Sequence, residues 1–223
     1  DENILYEGSQ IALDANQKVI GFIVAKKWRE QLDVPMRKDL GWIQVLLVDP
    51  QYRHQGIGSK LLTHAERMLK EAGCQEILLG KDPWHFFPGI PQQNRVTTDW
   101  FERKGYQAVG QEHDLICHYE KETEAVLPSL TGVEFSILQE GEQAQFLAFL
   151  NKCFPGRWAY EAIHYFRKGG TGREFVVLKR NAEIIGFSRI NDAASPYIAQ
   201  NVYWSPLLSE PLGGIGPLGI DAN

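Results

Sequence analysis

The stretch that decides the fold runs without interruption from an apolar segment into an amphipathic one. It reads Val45-Leu46-Leu47-Val48-Asp49-Pro50-Gln51-Tyr52-Arg53-His54-Gln55-Gly56-Ile57-Gly58-Ser59-Lys60. The β-branched and apolar residues before Asp49-Pro50 predict a strand. After Gly58, apolar residues recur at the 3.6-residue period of a helix, and Gly73 follows as a C-terminal cap. We therefore predict a strand that passes through a glycine-containing turn into a helix.

This turn has the chemistry of an anion site. The first N–H groups of a helix lack partners within the helix, and the helix dipole is positive at that end. Gly56 and Gly58 allow phosphate oxygens to approach the backbone closely, and Arg53 adds a cation. A P-loop requires Lys followed by Ser or Thr, whereas Ser59-Lys60 has the reverse order, and a Rossmann turn requires three glycines. The sequence predicts a pyrophosphate site of a different type, although an ordinary strand-to-helix turn would contain the same glycines.

The turn resembles the central motif of the GNAT superfamily of acyl-CoA N-acyltransferases, Arg/Gln-x-x-Gly-x-Gly/Ala after a strand that ends in a Val-x-Pro-like turn. Val48-Asp49-Pro50 and Arg53 to Gly58 match that motif. A second likeness is Asn94 followed by Trp100-Phe101-Glu102-Arg103-Lys104-Gly105-Tyr106, similar to the family's short helix ending in Glu-Lys-x-Gly-Phe. The resemblance covers most of residues 9 to 119.

The resemblance implies an acetyl-CoA-dependent N-acetyltransferase in which a primary amine attacks the thioester directly. Acetyl-CoA is then a cosubstrate, and no metal is expected. The strand edge would pair with pantetheine, and the turn would hold the pyrophosphate. The cofactor-binding residues that it implies are Leu46, Leu47, Val48, Arg53, His54, Gln55, Gly56, Ile57, Gly58, Ser59 and Asn94.

Acid–base chemistry is where the sequence departs from the family. Many members carry a Tyr at the position of Phe101, which can protonate the leaving thiolate, and a carboxylate on the strand before the turn. Here the nearest acid is Asp39, Gln44 can only hold a water, and His85 is a second candidate base beside Trp84. A non-catalytic acyl-CoA-binding sensor or scaffold therefore remains the alternative.

Two segments of the sequence echo each other. They are Asn16-Gln17-Lys18-Val19-Ile20-Gly21-Phe22 and Asn181-Ala182-Glu183-Ile184-Ile185-Gly186-Phe187. Each is a polar turn that enters a β-branched strand, so two copies of one fold are predicted. We expect two GNAT-like domains in tandem, over residues 1–122 and 133–223, joined by a linker over 123–132 that contains Pro128 and Gly132.

The expected class is α/β (α+β), with mixed, mostly antiparallel central sheets flanked by helices. The first hairpin begins within ten residues of Asp1, and Gly214 to Asn223 is a strand with no second phosphate turn after it. Both domains are therefore expected to be incomplete in this sequence. Residues 133 to 223 should match residues 9 to 48, with Gly186 equivalent to Gly21 and Ile220 to Val48.

Composition restricts the partners. The 223 residues include 23 Lys and Arg against 28 Asp and Glu, a net charge of -5 that disfavours nucleic acid as a partner. No apolar run approaches the roughly 20 residues that span a bilayer, and the three cysteines show no metal-ligand spacing. We expect a cytoplasmic protein that acts on a small-molecule or peptide amine, away from membranes, with a homodimer left open.

The aromatic loop, residues 82–91, contains Trp84, Phe86 and Phe87 among prolines. Such loops commonly line a pocket. Packing between the domains is the other interpretation of this composition.

Overall fold

The computed structural model describes residues 1–118, 130–196 and 202–222. The chain divides into two compact units, Asp1–Gln111 and Glu112–Asn223. The predicted linker over 123–132 lies largely outside the described residues, so its boundaries remain a prediction.

The first unit is a four-stranded sheet with two helices. Its elements are β1 (Gln10–Leu13), β2 (Val19–Lys27), β3 (Leu40–Val48), α1 (Ile57–Glu71), β4 (Glu76–Leu79) and α2 (Arg95–Glu102). The strands lie in the order β1-β2-β3-β4; the first two pairings are antiparallel, and β4 is parallel to β3. Helix α1 makes the crossover that a parallel pair requires.

Helix α1 covers one face of this sheet. Leu61, Leu62, Ala65 and Leu69 form its buried stripe, at the spacing predicted from the sequence. They pack in one core with residues of the sheet that include Ile23, Ala25 and Ile43. Burial of each leucine side chain contributes about 1.5–3 kcal/mol. This core therefore holds the beginning of α1 in a fixed position relative to the end of β3.

The second unit is a four-stranded antiparallel sheet with two helices. Its elements are β5 (Glu134–Ile137), α3 (Gln143–Cys153), α4 (Arg157–Arg167), β6 (Phe175–Arg180), β7 (Glu183–Asn191) and β8 (Gly214–Ile220), and the strand order is β5-β6-β7-β8. Phe146, fully buried, packs its ring against Phe175 and Phe187. One strand, β5, and two helices, α3 and α4, precede the β6–β7 hairpin in this unit. Both units together confirm the predicted class of mixed, mostly antiparallel sheets flanked by helices.

Strand register confirms the internal echo at residue level. Gly21 pairs with Val48 across β2 and β3, and Gly186 pairs with Ile220 across β7 and β8. The next rung is also shared, because the Asp49 and Asp221 amides each donate a 2.8 Å hydrogen bond to an isoleucine carbonyl of the preceding strand. The two hairpins with their third strands therefore have the same topology and register.

Candidate functional site

The segment between β3 and α1 is a rigid turn. The Asp49 side chain caps the 3-10 turn Pro50–Tyr52 by accepting a hydrogen bond of 3.0 Å from the Gln51 amide. The Arg53 Nε donates to the carbonyl oxygen of Val48 at 3.0 Å, which holds the exposed arginine beside the end of β3. A cationic side chain is thus fixed next to the beginning of α1.

The backbone amides that follow have the arrangement of a candidate anion site. Gly56 is the N-cap of α1 and adopts a left-handed conformation with φ of 80°, and His54 also has a positive φ of 61°. Within the described part of the chain, none of the N–H groups from His54 to Ser59 donates a hydrogen bond. Six adjacent amides at the positive end of a 15-residue helix suit a pyrophosphate.

Gly58 has no structural reason to be glycine. A Cβ atom there would meet only the Val48 Cγ2 atom, at an ordinary contact distance of 3.6 Å. Gly56 differs because its positive φ favours glycine on conformational grounds. The missing side chain at Gly58 therefore leaves the amides open to a ligand without serving the packing of the protein.

A bulge interrupts β3 at Gln44. Val45 pairs with Val24 and Ile43 pairs with Ala25, so Gln44 is the extra residue of the strand. On the other edge of β3, pairing with β4 covers only Leu40 to Ile43, and the last rung is the hydrogen bond of 2.9 Å from the Gly80 amide to the Ile43 carbonyl. Strand β4 ends there, so among the described residues no strand pairs with residues 44 to 48 on this edge of β3, and we call this unpaired edge the gap.

The amides that point into this gap follow from strand alternation. The Asp49 amide points to β2, where it donates to the Ile20 carbonyl. In an antiparallel strand alternate residues point the same way, so the Leu47 amide also points to β2, and those of Leu46 and Val48 point into the gap. Leu46 therefore offers its amide and carbonyl to an extended ligand, and Val48 offers its amide, because the Val48 carbonyl already accepts from Arg53. The Leu47 side chain is 53% exposed.

Asp39 lies away from the gap. It precedes β3, five residues before the bulge, which corresponds to about 16 Å of extended chain. Its exposed carboxylate pairs with the Arg37 guanidinium at 3.1 Å, and that hydrogen bond lowers the pKa of Asp39. Both observations disfavour Asp39 as the base.

His85, Asn94 and Phe101 occupy three different environments. His85 is buried in the aromatic loop, and its amide donates to the Asp82 carbonyl at 2.6 Å. Asn94 is exposed at the beginning of α2, where its carbonyl accepts the Thr97 amide at 3.0 Å. Phe101 is only 7% exposed and belongs to the core under α1. Of all the site residues predicted from the sequence, the structure brings together those of the turn and those of the strand edge. The described residues identify no acid or base.

Two features of the site were not predicted from the sequence. The bulge at Gln44 depends on pairing with β2, and a buried ion pair joins Lys26 of β2 to Asp82 at 2.8 Å. The signal available for the latter was Lys26 itself, a charge near the end of the apolar strand Val19–Lys27.

Comparison with known families agrees with this geometry. Residues 3–87 match the model of the acetyltransferase (GNAT) family, a segment that includes the turn, the bulged strand and α1. This part of the chain is therefore similar in sequence to the GNAT family. No curated protein sequence matches the chain.

One solved structure shows the fold over both units. The chain superposes, with a TM-score of 0.75 and 20% identity over 96% of its length, on a structure described as the GCN5-related glucosamine N-acetyltransferase region of a fungal multi-domain GH3 β-N-acetylglucosaminidase. It covers 26% of that chain, so it spans about a quarter of that protein.

Two further structures match about half of this chain. A putative acetyl transferase from Pyrococcus furiosus is 24% identical over 49% of this chain and 64% of its own, with a TM-score of 0.38. The aminoglycoside N-acetyltransferase AAC(6')-Iy in complex with CoA is 17% identical over 52% of this chain and 75% of its own, with a TM-score of 0.37.

The described residues hold no candidate for a membrane span or a metal site. No helix in that part of the chain has the length and apolar character needed to cross a bilayer. Among the same residues, no cluster of three or more His, Cys, Asp or Glu side chains is arranged to hold a metal ion.

Proposed function

We propose that the chain is an N-acetyltransferase that transfers the acetyl group of acetyl-CoA to a primary amine by direct attack. The single observation that carries the proposal is the continuity of the six free amides at the beginning of α1 with the gap beside β3. One site binds anions, the other binds an extended amide-containing chain, and they adjoin. Together they match the pyrophosphate and the pantetheine arm of CoA.

In the proposed complex, the amides from His54 to Ser59 hold the pyrophosphate, and Arg53 adds positive charge. Asn94, exposed at the beginning of α2, is the outlying member of the proposed binding set. The strand edge at Leu46 to Val48 pairs with pantetheine, with Leu46 and Val48 providing the backbone groups. The thioester then reaches the bulge at Gln44.

The reaction needs no covalent enzyme intermediate. The amine nitrogen attacks the thioester carbonyl carbon to form the C–N bond, the C–S bond breaks, and the sulfur leaves as a thiolate. The nitrogen loses one proton, and the thiolate takes one up. Strand amides beside the bulge stabilise the developing oxyanion, and proton transfer proceeds through water or through a residue of the acceptor site.

Several finer features belong to the proposal. The acceptor is a small-molecule or peptide amine, and an amino sugar is the first to assay, because the solved structure with a TM-score of 0.75 is described as a glucosamine N-acetyltransferase region. The protein acts in the cytoplasm. Residues 1–122 form the acetyl-CoA-binding domain, and residues 133–223 form a second GNAT-like domain.

Gly58→Asp tests the binding site directly. A carboxylate among the amides repels the pyrophosphate and removes charge-assisted hydrogen bonds, so acetyl-CoA affinity should fall by at least about 2 kcal/mol, or about 30-fold. Calorimetric titration with acetyl-CoA measures this change. Gly110→Asp is the matched control, because Gly110 is exposed, has open space at its Cβ position, and makes the same change of charge.

Unchanged affinity in Gly58→Asp would place the pyrophosphate elsewhere. Acetyl-CoA binding without transfer to any amine would instead favour the sensor or scaffold alternative, which is motivated by the burial of Phe101 and the absence of a carboxylate on β3.

A further inference from the structure

The aromatic loop begins where the gap closes. Gly80 makes the last rung with β3, and the loop residues follow at once. The chain then folds back on itself, because the Lys81 amide donates to the Phe87 carbonyl at 2.8 Å. A Cβ atom at Gly80 would lie 2.4 Å from that same carbonyl oxygen, so the loop packs tightly against its own beginning.

A buried ion pair ties this loop to the sheet. Lys26 and Asp82 are 1% and 0% exposed, and the Lys26 Nζ lies 2.8 Å from Asp82 Oδ2. The same ammonium contacts Asp1 Oδ2 at 2.5 Å. The Asp82 carboxylate also accepts the Trp84 and Phe86 amides at 3.3 Å each. One carboxylate thus sets the path of the loop and its position relative to β2.

The pair acts close to the bulge. Lys26 lies opposite Trp42 in the register of β2 and β3, two residues before Gln44. Burying two charges is costly in itself, and apolar residues of similar size would often stabilise a fold as well or better. The pair therefore holds the loop in one place at this end of the gap, which an apolar contact would do less specifically.

The direction of the gap decides what the loop meets. With the pyrophosphate at α1, an extended pantetheine runs along β3 from Val48 toward Gln44, about 13 Å of strand. The acyl group then points to the closed end at the rung of Ile43 and Gly80. Phe86, 45% exposed and edge-on to the Phe87 ring at 4.6 Å, belongs to the loop that begins at this rung.

The geometry points to the aromatic loop as the wall that limits the length of the acyl chain, with Lys26 and Asp82 as the positioning residues that hold it. This inference rests on the proposed function, because it takes the bound ligand to be an acyl-CoA. Phe86 is the specificity-determining side chain, and the ion pair acts through the loop without touching the ligand.

The experiment compares acetyl-CoA with butyryl-CoA in binding and in transfer. The readouts are the ratio of their two dissociation constants by calorimetry and the ratio of their kcat/KM values with one common amine. One methylene in an apolar pocket changes selectivity by about 10–200-fold, so Phe86→Ala should shift both ratios toward butyryl-CoA by at least about 10-fold. Asp82→Asn should shift them in the same direction, while free CoA binds all variants equally.

Tyr6→Ala is the matched control, because Tyr6 is an aromatic residue of the same unit that is 69% exposed and lies outside the loop. It should leave both ratios unchanged. Phe86→Ala keeps the test valid if Asp82→Asn fails to fold, because Phe86 is exposed and its truncation should leave the core intact.

Each outcome separates the inference from the function on which it rests. Unchanged ratios in Phe86→Ala, in a protein that binds both thioesters, overturn the wall and leave the proposed function standing. If Phe86→Ala shifts the ratios but Asp82→Asn folds and keeps the wild-type ratios, the positioning role of the ion pair is overturned. A wild-type protein that binds no CoA thioester overturns the proposed function and this inference together.

Discussion

The third strands of the two sheets, β3 and β8, begin from the same arrangement and end differently. In each unit a glycine of the preceding strand, Gly21 or Gly186, pairs with an apolar residue, Val48 or Ile220, one residue before an aspartate. Each third strand also shifts its register against the preceding strand. The shift lies between Val24 and Ala25 of β2 and between Ser188 and Ile190 of β7. The paired strands by themselves are therefore not what distinguishes the candidate site.

The difference lies in what packs on each strand. Leu46 of β3 is half-buried against the core under α1, whereas Leu218, the equivalent residue of β8, is 63% exposed. β3 also has a parallel neighbour that pairs with only part of it, and this partial pairing creates the gap. A shared hairpin therefore supplies the scaffold, and in the first unit the helix and the partial neighbour create the candidate ligand site.

The largest effects should come from the two separate cores. Leu62→Ala in α1 and Leu150→Ala in α3 each remove a side chain that is 1% or less exposed, so each should cost about 2–5 kcal/mol. If the units are thermodynamically independent, each variant lowers the stability of its own unit only. Hydrogen exchange followed separately in the two units measures this, and equal loss of protection in both units would show one cooperative body.

Phe101→Tyr compares packing with proton donation. Phe101 is 7% exposed in the core, so a buried hydroxyl without a partner should cost about 1–3 kcal/mol and leave the rate of acetyl transfer unchanged. Thermal melts and steady-state rates on the same variant provide the measurement. Phe149→Tyr in the second unit, at 6% exposure, is the control for the stability cost alone. General acid catalysis typically raises a rate by roughly 10²-fold or more. A rate increase of that size would show that a hydroxyl at residue 101 can protonate the leaving thiolate.

The equivalent glycines offer a closer comparison. A Cβ atom at Gly21 would lie 3.0 Å from the Leu47 carbonyl oxygen and 3.5 Å from Ile57 at the beginning of α1, whereas at Gly186 the nearest atoms are 3.3 Å away. Gly21→Ala should therefore cost about 1–3 kcal/mol through overpacking, and Gly186→Ala less. If α1 holds the pyrophosphate as proposed, only Gly21→Ala should also weaken acetyl-CoA binding, because it displaces that helix. Equal effects of the two variants on acetyl-CoA affinity would contradict this account of the site.

The smallest effect concerns a surface ion pair of the second unit. The Arg173 guanidinium, 2.7 Å from Asp192, lowers the pKa of that carboxyl from 3.8 to about 2. Because the pKa is lower in the folded state, the stabilising contribution is complete above pH 3.8 and is lost as the pH falls toward 2. An NMR titration of the Asp192 carboxyl should give this low midpoint, and Arg173→Ala should return it toward 3.8. A wild-type midpoint already near 3.8 would show that the pair does not form in solution.

Most of the secondary structure could be predicted because it depends on local periodicity. The strand Glu183–Asn191 follows the polar turn of the second echo segment, and α1 carries the apolar stripe predicted after Gly58. Two strands, Glu76–Leu79 and Glu134–Ile137, were not predicted, because four residues are too few to show a period.

By itself, the sequence determined the elements that neighbouring residues specify. These are the strand-to-helix turn with its glycines, the apolar stripe of α1, and the paired hairpin motifs whose equivalence the strand register confirms. Each follows from residues within a few positions of one another, where turn chemistry and hydrophobic period act directly.

Only the tertiary structure decided where the candidate ligand site lies. The bulge at Gln44 exists because β2 imposes a register on β3, and the gap exists because β4 pairs with β3 only as far as Ile43. Lys26 and Asp82 are 56 residues apart, so no local pattern could pair them. Phe101 is likewise a core residue only because α2 packs onto the cluster under α1. Contacts between distant segments depend on how whole elements pack, so the local sequence pattern around each residue does not predict them.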